Sequence, residues 1–147
     1  MWAAVSYLVT ALVFIVLGLT VNSIYFAVAF FWTALSLLLV SGAYFFNAGK
    51  IFRKRENGVI PFYIRWAFVP FLLGAQIYNA WSRKHDKVPP IQQINDNLFL
   101  ACRLFPSDID TLKENGITAI LDVTCEFDGL EWTSTQENIS YLNIPVL

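Results

Sequence analysis

The sequence contains no Asp, Glu, Lys, Arg or His from Met1 to Gly49. A charged side chain at the centre of a bilayer costs about 2.5–3.5 kcal/mol on insertion scales, so this absence has a physical meaning. A membrane-spanning helix requires about 20 apolar residues, and the run is long enough for two. We predict helices over residues 2–21 and 24–46, joined by a turn at Asn22-Ser23. Helices in soluble proteins are rarely apolar on every side over such a length, so the pattern favours a transmembrane helical hairpin.

Cysteine is also scarce, and the net charge is close to zero. Cys102 and Cys125 are the only cysteines, and they form neither a zinc-binding pattern nor a disulfide framework. We interpret both as small core residues. The net charge of −1 argues against a nucleic-acid partner, because nucleic-acid-binding proteins are usually basic.

The remaining candidate ligand residues are few and scattered. His85 is the only histidine, and no second ligand type clusters with it, so we interpret it as a solvated or headgroup-facing side chain. Glu126, Asp128 and Glu131 do not have the spacing of a calcium loop, and a surface loop is the simpler interpretation. The sequence therefore predicts no catalytic, cofactor-binding or metal-binding residue.

Basic residues appear as soon as the second predicted helix ends. The positive-inside rule places such a cluster in the cytoplasm, so we expect an integral inner (plasma) membrane protein whose soluble part is cytoplasmic. Each basic residue near an anionic surface contributes on the order of 1 kcal/mol to its attraction. The side chains predicted to face anionic lipid headgroups are Lys50, Arg53, Lys54, Arg55, Arg83, Lys84 and Lys87.

The segment Val59–Trp81 is largely apolar and is open to two interpretations. Arg65 lies within it, and Pro61 and Pro70 interrupt it. A proline inside a helix destabilises that helix by about 3 kcal/mol. Its polar residues fall on one side at helical spacing. We prefer an interfacial amphipathic helix, and a third span stays open as the alternative.

Small residues near the start of the first helix favour close approach of another helix. They are Ala3, Ala4, Ser6, Thr10 and Ala11.

A composition change at Val88-Pro89-Pro90 divides the chain into a membrane anchor, residues 1–87, and the start of an α/β domain, residues 88–147. We predict a strand at Leu98–Cys102 after a turn at 95–97, and then a helix with Ser107 as its N-cap. Gly116 is its expected C-terminal residue.

Two more strands are predicted, at Ile117–Thr124 and Tyr141–Val146. The first is almost continuously apolar, as in parallel sheets that are covered on both faces. With these strands and one evident helix, one face of the sheet stays uncovered. We therefore expect a longer protein, of which this sequence is the N-terminal part.

Three stretches in this half resemble the start of a dual-specificity phosphatase domain, in the protein-tyrosine-phosphatase superfamily. They are INDNLFL at 94–100, NGITAILDVT at 115–124 and YLNIPV at 141–146. In that family a strand of the form xLxLG precedes a helix, and strands like GIxxVLNVT and YxxIPVxD follow. Together with the hairpin, the pattern is similar to membrane-anchored bacterial members, some of which are fused to a diacylglycerol-kinase-like domain.

The resemblance implies hydrolysis of a phosphomonoester, on a phosphoprotein or a lipid phosphate, by a Cys-x5-Arg loop. Neither cysteine of this chain fits, because Asp108 stands six residues after Cys102 and Glu131 stands six after Cys125. No catalytic residue of the family is therefore carried over, and the chain by itself is expected to be inactive. The alternative is a non-catalytic membrane adaptor that binds a partner through the edge of its small sheet.

Overall fold

Two long apolar helices open the structure, a computed structural model that describes residues 2–85, 89–125, 127 and 138–146. They are α1 (Trp2–Thr20) and α2 (Ile24–Phe45), and each ends one residue before its predicted end. By length and composition, both qualify as helices that cross a membrane, and no other helix among the described residues does. The two predicted apolar helices are therefore confirmed.

Small side chains form much of the contact between α1 and α2, beside the ring pairs Tyr7–Tyr44 and Phe14–Phe30. Ala4 and Ala11 of α1 are buried, as are Ala34 and Ala43 of α2. The Ser41 hydroxyl donates a hydrogen bond of 2.8 Å to the Ala4 carbonyl across the helix pair. Such a bond between helices requires close backbone approach, which small residues allow.

A third helix, α3 (Phe62–His85), runs through Pro70 without ending there. Pro61 lies just before its first turn, where the missing N–H of a proline costs nothing, and its carbonyl accepts the N–H groups of Ile64 and Arg65. The prediction that Pro70 interrupts this segment is therefore wrong, whereas the helix does begin only after Pro61. Burial of Phe68 and Phe71 on either side of Pro70 offsets the lost backbone hydrogen bond.

The helices meet in an aromatic cluster where the hairpin leads into the rest of the chain. Phe52, in a 3-10 turn at Gly49–Phe52, is fully buried. Its ring centroid lies 4.9 Å from that of Phe68 and 6.2 Å from that of Phe71. Nearer the start of α3, the ring of Trp66 stacks on the ring of Trp32 in α2, with the ring centroids 5.8 Å apart. The third helix is thus packed against the hairpin by aromatic contacts.

The second half of the chain is a small α/β region. Strands β1 (Ile91–Asn95) and β2 (Leu98–Ala101) form an antiparallel hairpin. A 3-10 turn at Pro106–Asp108 leads into α4 (Ile109–Glu114), and Gly116 follows at φ +65°, as expected for a helix C-terminus. The predicted turn at 95–97 is confirmed by the Asn97 N–H, which donates to the Asn95 side chain.

The last two strands, β3 (Ala119–Thr124) and β4 (Ser140–Val146), pair in parallel. The described residues form two separate two-stranded sheets, β1 with β2 and β3 with β4. The small α/β region after the helices is therefore confirmed, whereas its assignment to a phosphatase-like fold stays a prediction.

The strands have an uncovered face, as predicted, because Leu100 is 61% exposed and Leu121 is 59% exposed. Isolated strand pairs leave a sheet face and an edge open. One detail of the prediction for this region is wrong. Ser107 does not cap the helix; the Asp108 carboxylate accepts the Phe105 N–H at 2.7 Å instead. The predicted boundary at 87/88 and most of the loop after Cys125, with Glu126, Asp128 and Glu131, lie outside the described residues.

Candidate functional site

An open cleft separates the two strand pairs. Its volume is about 560 Å³, and the whole of β2 and the whole of β3 line it. Within the described part of the chain, each of these strands is hydrogen-bonded to only one neighbour, so one edge of each is free. Free edges carry unpaired backbone N–H and C=O groups that can pair with a further strand. The cleft is therefore a site at which an extended segment can bind.

Lys54 connects the loop between α2 and α3 to the end of β3. Its side chain is fully buried, and its Nζ lies 2.8 Å from Oδ2 of Asp122. The same Nζ donates to the backbone carbonyl and to the hydroxyl of Thr124, at 3.0 and 3.1 Å. Lys54 thus uses all three of its donors within the protein. Arg53, just before it, has a left-handed backbone with φ 45°, which non-glycine residues adopt rarely.

Asp122 is the centre of a polar network on β3 and β4. Its Oδ1 accepts the N–H and the hydroxyl of Thr124, both at 2.8 Å, and its Oδ2 accepts the hydroxyl of Tyr141 in addition to Lys54. Burial alone would raise the pKa of Asp122, but the hydrogen bonds from Lys54, Tyr141 and Thr124 outweigh it and hold the pKa below its ordinary value. Burial and the Asp122 carboxylate raise the pKa of Tyr141.

Asn143 of β4 joins the loop and both strands. Its backbone N–H donates to the Glu56 carbonyl at 3.0 Å. Its side-chain amide donates to the carbonyls of Asp122 and Thr124, at 2.8 and 2.9 Å. The loop between α2 and α3 is therefore fixed to both parallel strands, to β3 through Lys54 and to β4 through Asn143.

Arg83 makes the equivalent connection from the end of α3. Its guanidinium forms a bidentate pair with the Asp108 carboxylate, at 2.8 and 3.0 Å, and donates to the Arg103 carbonyl at 2.8 Å. It also lies over the Phe105 ring at 4.9 Å. Burial alone would lower the pKa of Arg83, but the Asp108 carboxylate outweighs it and raises the pKa. The guanidinium therefore stays charged.

The carboxyl ends of β2 and β3 lie on the same side, next to the helices. Arg103 follows β2 and Phe127 follows β3, and the Arg103 guanidinium lies 4.9 Å from the centre of the Phe127 ring. Cys125, the residue after β3, is fully buried and belongs to the same apolar cluster as Phe52, Phe68 and Phe71. We call this side of the α/β region, formed by residues 101–103, 124, 125 and 127, the carboxyl edge. It packs against the helices rather than facing away from them.

A second and larger cavity lies between the three helices. Its volume is about 800 Å³, and Phe14, Leu37 and Phe71 are among the apolar side chains that line it. Gly74 opens into it, because a Cβ added there would meet no atom within 4 Å. Phe127 lines both this cavity and the cleft between the strand pairs. The two spaces are therefore neighbours.

The structure separates the basic residues into two groups. Lys54 and Arg83 are turned into the protein, which contradicts the prediction that they face lipid headgroups. Their acidic partners lie far along the chain, and no local sequence signal identifies such a pairing. For the exposed side chains of Lys50, Arg53, Arg55 and Lys84, headgroup contact stays a prediction, and Lys87 lies outside the described residues.

The other candidate residues have ordinary structural positions. Cys125 is a buried core residue, as predicted, whereas Cys102 is exposed. His85 stacks on Trp81 at 4.8 Å, and its Nδ1 lies 2.8 Å from the Trp81 carbonyl. Over the described ranges, no three His, Cys, Asp or Glu side chains are grouped in a way that would hold a metal ion.

Comparison with protein-family models, with curated proteins and with solved structures finds no match for this chain.

Proposed function

We propose that the chain is the N-terminal part of a membrane-anchored phosphatase of the dual-specificity type. Helices α1 and α2 hold it in the bilayer, and the α/β region is the incomplete start of the catalytic domain. The observation that carries the proposal is the cleft between the free edges of β2 and β3. A strand inserted there, parallel to β3, would join the two pairs into one sheet. It would also deliver the residues that follow it to the carboxyl edge, where open α/β sheets bind their ligands.

The chemistry implied by the resemblance belongs to a Cys-x5-Arg loop outside this chain. A cysteine thiolate attacks phosphorus, the bond from phosphorus to the ester oxygen breaks, and that oxygen takes a proton. Water then cleaves the S–P bond, which gives inorganic phosphate and regenerates the thiolate. Backbone N–H groups at a helix N-terminus hold the phosphate and lower the thiol pKa.

The test is to determine the natural reading frame beyond Leu147 and to assay the encoded protein with p-nitrophenyl phosphate. We expect a Cys-x5-Arg motif there, activity in the natural full-length protein, and loss of activity when that cysteine is changed to serine. Residues 1–147 alone are expected to be inactive. Phosphatase activity from residues 1–147 alone, or a reading frame without the motif, would overturn the proposal.

The proposed orientation is tested separately. We infer that the α/β region lies on the cytoplasmic face, supported by the basic residues that follow α2. A reporter enzyme fused after Leu147 is then expected to stay in the cytoplasm. Its export would contradict this orientation without bearing on the chemistry.

An adaptor is the second candidate, and the exposure of the strands bordering the cleft favours it. Leu98, Leu100, Leu121 and Val123 are each more than half exposed. A strand from a partner protein could pair with either free edge, with its side chains on these apolar surfaces. A stop codon directly after Leu147 would favour this function over the phosphatase.

A further inference from the structure

The cavity between the helices has the character of a site for an acyl chain. Its volume of about 800 Å³ lies within the usual range of ligand pockets, about 300–1,000 Å³. Apolar residues from all three helices line it, including Phe14, Leu37 and Phe71. Ser6, Thr33 and Asn79 also line it, but each of these side chains donates to a carbonyl of its own helix. Water is therefore unfavourable there because it finds few polar partners. Since α1 and α2 qualify as membrane spans, the surrounding bilayer is the natural source of an apolar occupant.

The cavity leads toward the carboxyl edge, where the surroundings become polar. Phe127 lines both the cavity and the cleft, and the Arg103 guanidinium lies over its ring. A cation therefore stands where the apolar space meets the ends of β2 and β3. An amphipathic molecule with an anionic head fits this change from apolar to polar surroundings, with its tail between the helices and its head beside Arg103.

The anchor also restricts which substrates can reach this edge. Lys54 holds Thr124 by its carbonyl, Cys125 is packed into the aromatic cluster, and Arg83 holds the Arg103 carbonyl. These contacts place the carboxyl edge close to the point where α2 ends. A molecule lying in the bilayer can reach this edge by lateral movement, whereas a folded phosphoprotein must approach between the edge and the anchor.

We propose that the substrate is a phospholipid that carries a phosphomonoester, with an acyl chain in the cavity between α1, α2 and α3 and its phosphate at the carboxyl edge. The substrate assignment rests on the phosphatase function proposed above. The lipid site itself rests only on the cavity, the cation and the position of the edge.

Gly74→Leu tests the acyl-chain site, and Gly42→Leu is its matched control. Gly74 lines the cavity and Gly42 does not, yet a Cβ added at either position meets no atom within 4 Å. Both changes add a leucine to a helix without a clash at its Cβ, but only the first fills the cavity.

The binding experiment uses the natural full-length protein in phosphatidylcholine vesicles that contain phosphatidic acid with a photoreactive acyl chain. We expect labelling of α3 near Gly74 in the unmodified protein and in Gly42→Leu, and loss of that labelling in Gly74→Leu. Equal labelling of all three proteins would overturn the acyl-chain site.

The activity experiment compares phosphatidic acid in the same vesicles, a phosphotyrosine peptide and p-nitrophenyl phosphate. We expect Gly74→Leu to lose turnover of phosphatidic acid and to keep that of p-nitrophenyl phosphate, with Gly42→Leu unchanged on both. Turnover of the phosphopeptide without turnover of phosphatidic acid would overturn the lipid substrate and leave the phosphatase function intact. No turnover of any of the three would instead overturn the phosphatase function, and the labelling would still decide the lipid site.

Discussion

Small side chains make much of the contact between α1 and α2, whereas long charged side chains make much of the contact between the helices and the α/β region. In the hairpin, Ala4 and Ala11 are buried and the Ser41 hydroxyl bonds across. At the other contact, Lys54 and Arg83 reach carboxylates on the α/β region. Between two apolar helices in a bilayer, the hydrophobic effect does not favour association, so close packing has to favour it. Charged pairs also fix one orientation, because a buried charge is stable only against its own partner.

The charged contact is expected to be the more sensitive of the two. Lys54→Met leaves the Asp122 carboxylate mostly buried without its cation, and breaking a buried pair from one side costs about 3–5 kcal/mol. Hydrogen exchange of the β3 amides in detergent micelles measures the loss. Lys50→Met is the control, because Lys50 is exposed and has no carboxylate partner among the described contacts. Equal effects of the two substitutions would show that the buried pair contributes nothing.

The helix contact is tested by adding volume where it is tightest. Ala11 is fully buried, so Ala11→Phe is expected to lower the free energy of unfolding by about 1–3 kcal/mol through overpacking. Equilibrium unfolding in mixed micelles measures it. Leu12→Phe, next along the helix and 52% exposed, should have almost no effect. A similar loss in both variants would mean that α1 does not pack against α2 through this face.

At the second charged contact, between Arg83 and Asp108, a substitution can separate the effect of the positive charge from that of the bidentate geometry. Arg83→Lys keeps the positive charge and loses the bidentate pairing with Asp108, so we expect a loss of about 1.5 kcal/mol. The rate of proteolysis between α3 and β1 reports it. Lys84→Arg, at the exposed neighbouring position, should leave that rate unchanged. If Arg83→Lys also leaves it unchanged, the charge alone holds α3 to the α/β region.

The smallest expected effect concerns the hydroxyl on Asp122 and its dependence on pH. The pKa of Asp122 is lowered in the fold, so its contribution to stability is present above the ordinary value of about 3.9 and is lost as the pH falls through the lower, folded pKa. Tyr141→Phe removes one hydrogen bond, which should cost about 1 kcal/mol near neutral pH. It should also reduce the stability lost on acidification. An acid unfolding curve identical in shape to that of the unmodified protein would contradict this role.

The two apolar helices were largely predictable because their signal is local. The lack of charge up to Gly49 places α1 and α2 to within a residue at their ends, and composition alone identifies them as candidate spans. The path of α3 through Pro70 was not predictable in this way. Helix propensity opposes it, and packing of Phe68 and Phe71 decides it.

The candidate site was predictable only in its strands. Sequence patterning locates β3 and β4, since short apolar runs rich in β-branched residues indicate strands, but their pairing with each other is seen only in the structure. It does not show that β2 and β3 stand apart around a cleft, because strand order depends on contacts between distant segments. The exposure of Leu121 follows from that arrangement and not from its sequence.

The sequence by itself determined which segments are apolar helices and which are strands, because each depends on the pattern of apolar residues among near neighbours in the chain. Only the tertiary structure decided what the basic residues do. Lys54 and Asp122 stand 68 positions apart, and Arg83 and Asp108 stand 25 apart. In the sequence, Lys54 is equivalent to its exposed neighbours Arg53 and Arg55. Folding brings the Asp122 carboxylate to Lys54, and a buried cation is stable only next to such a partner.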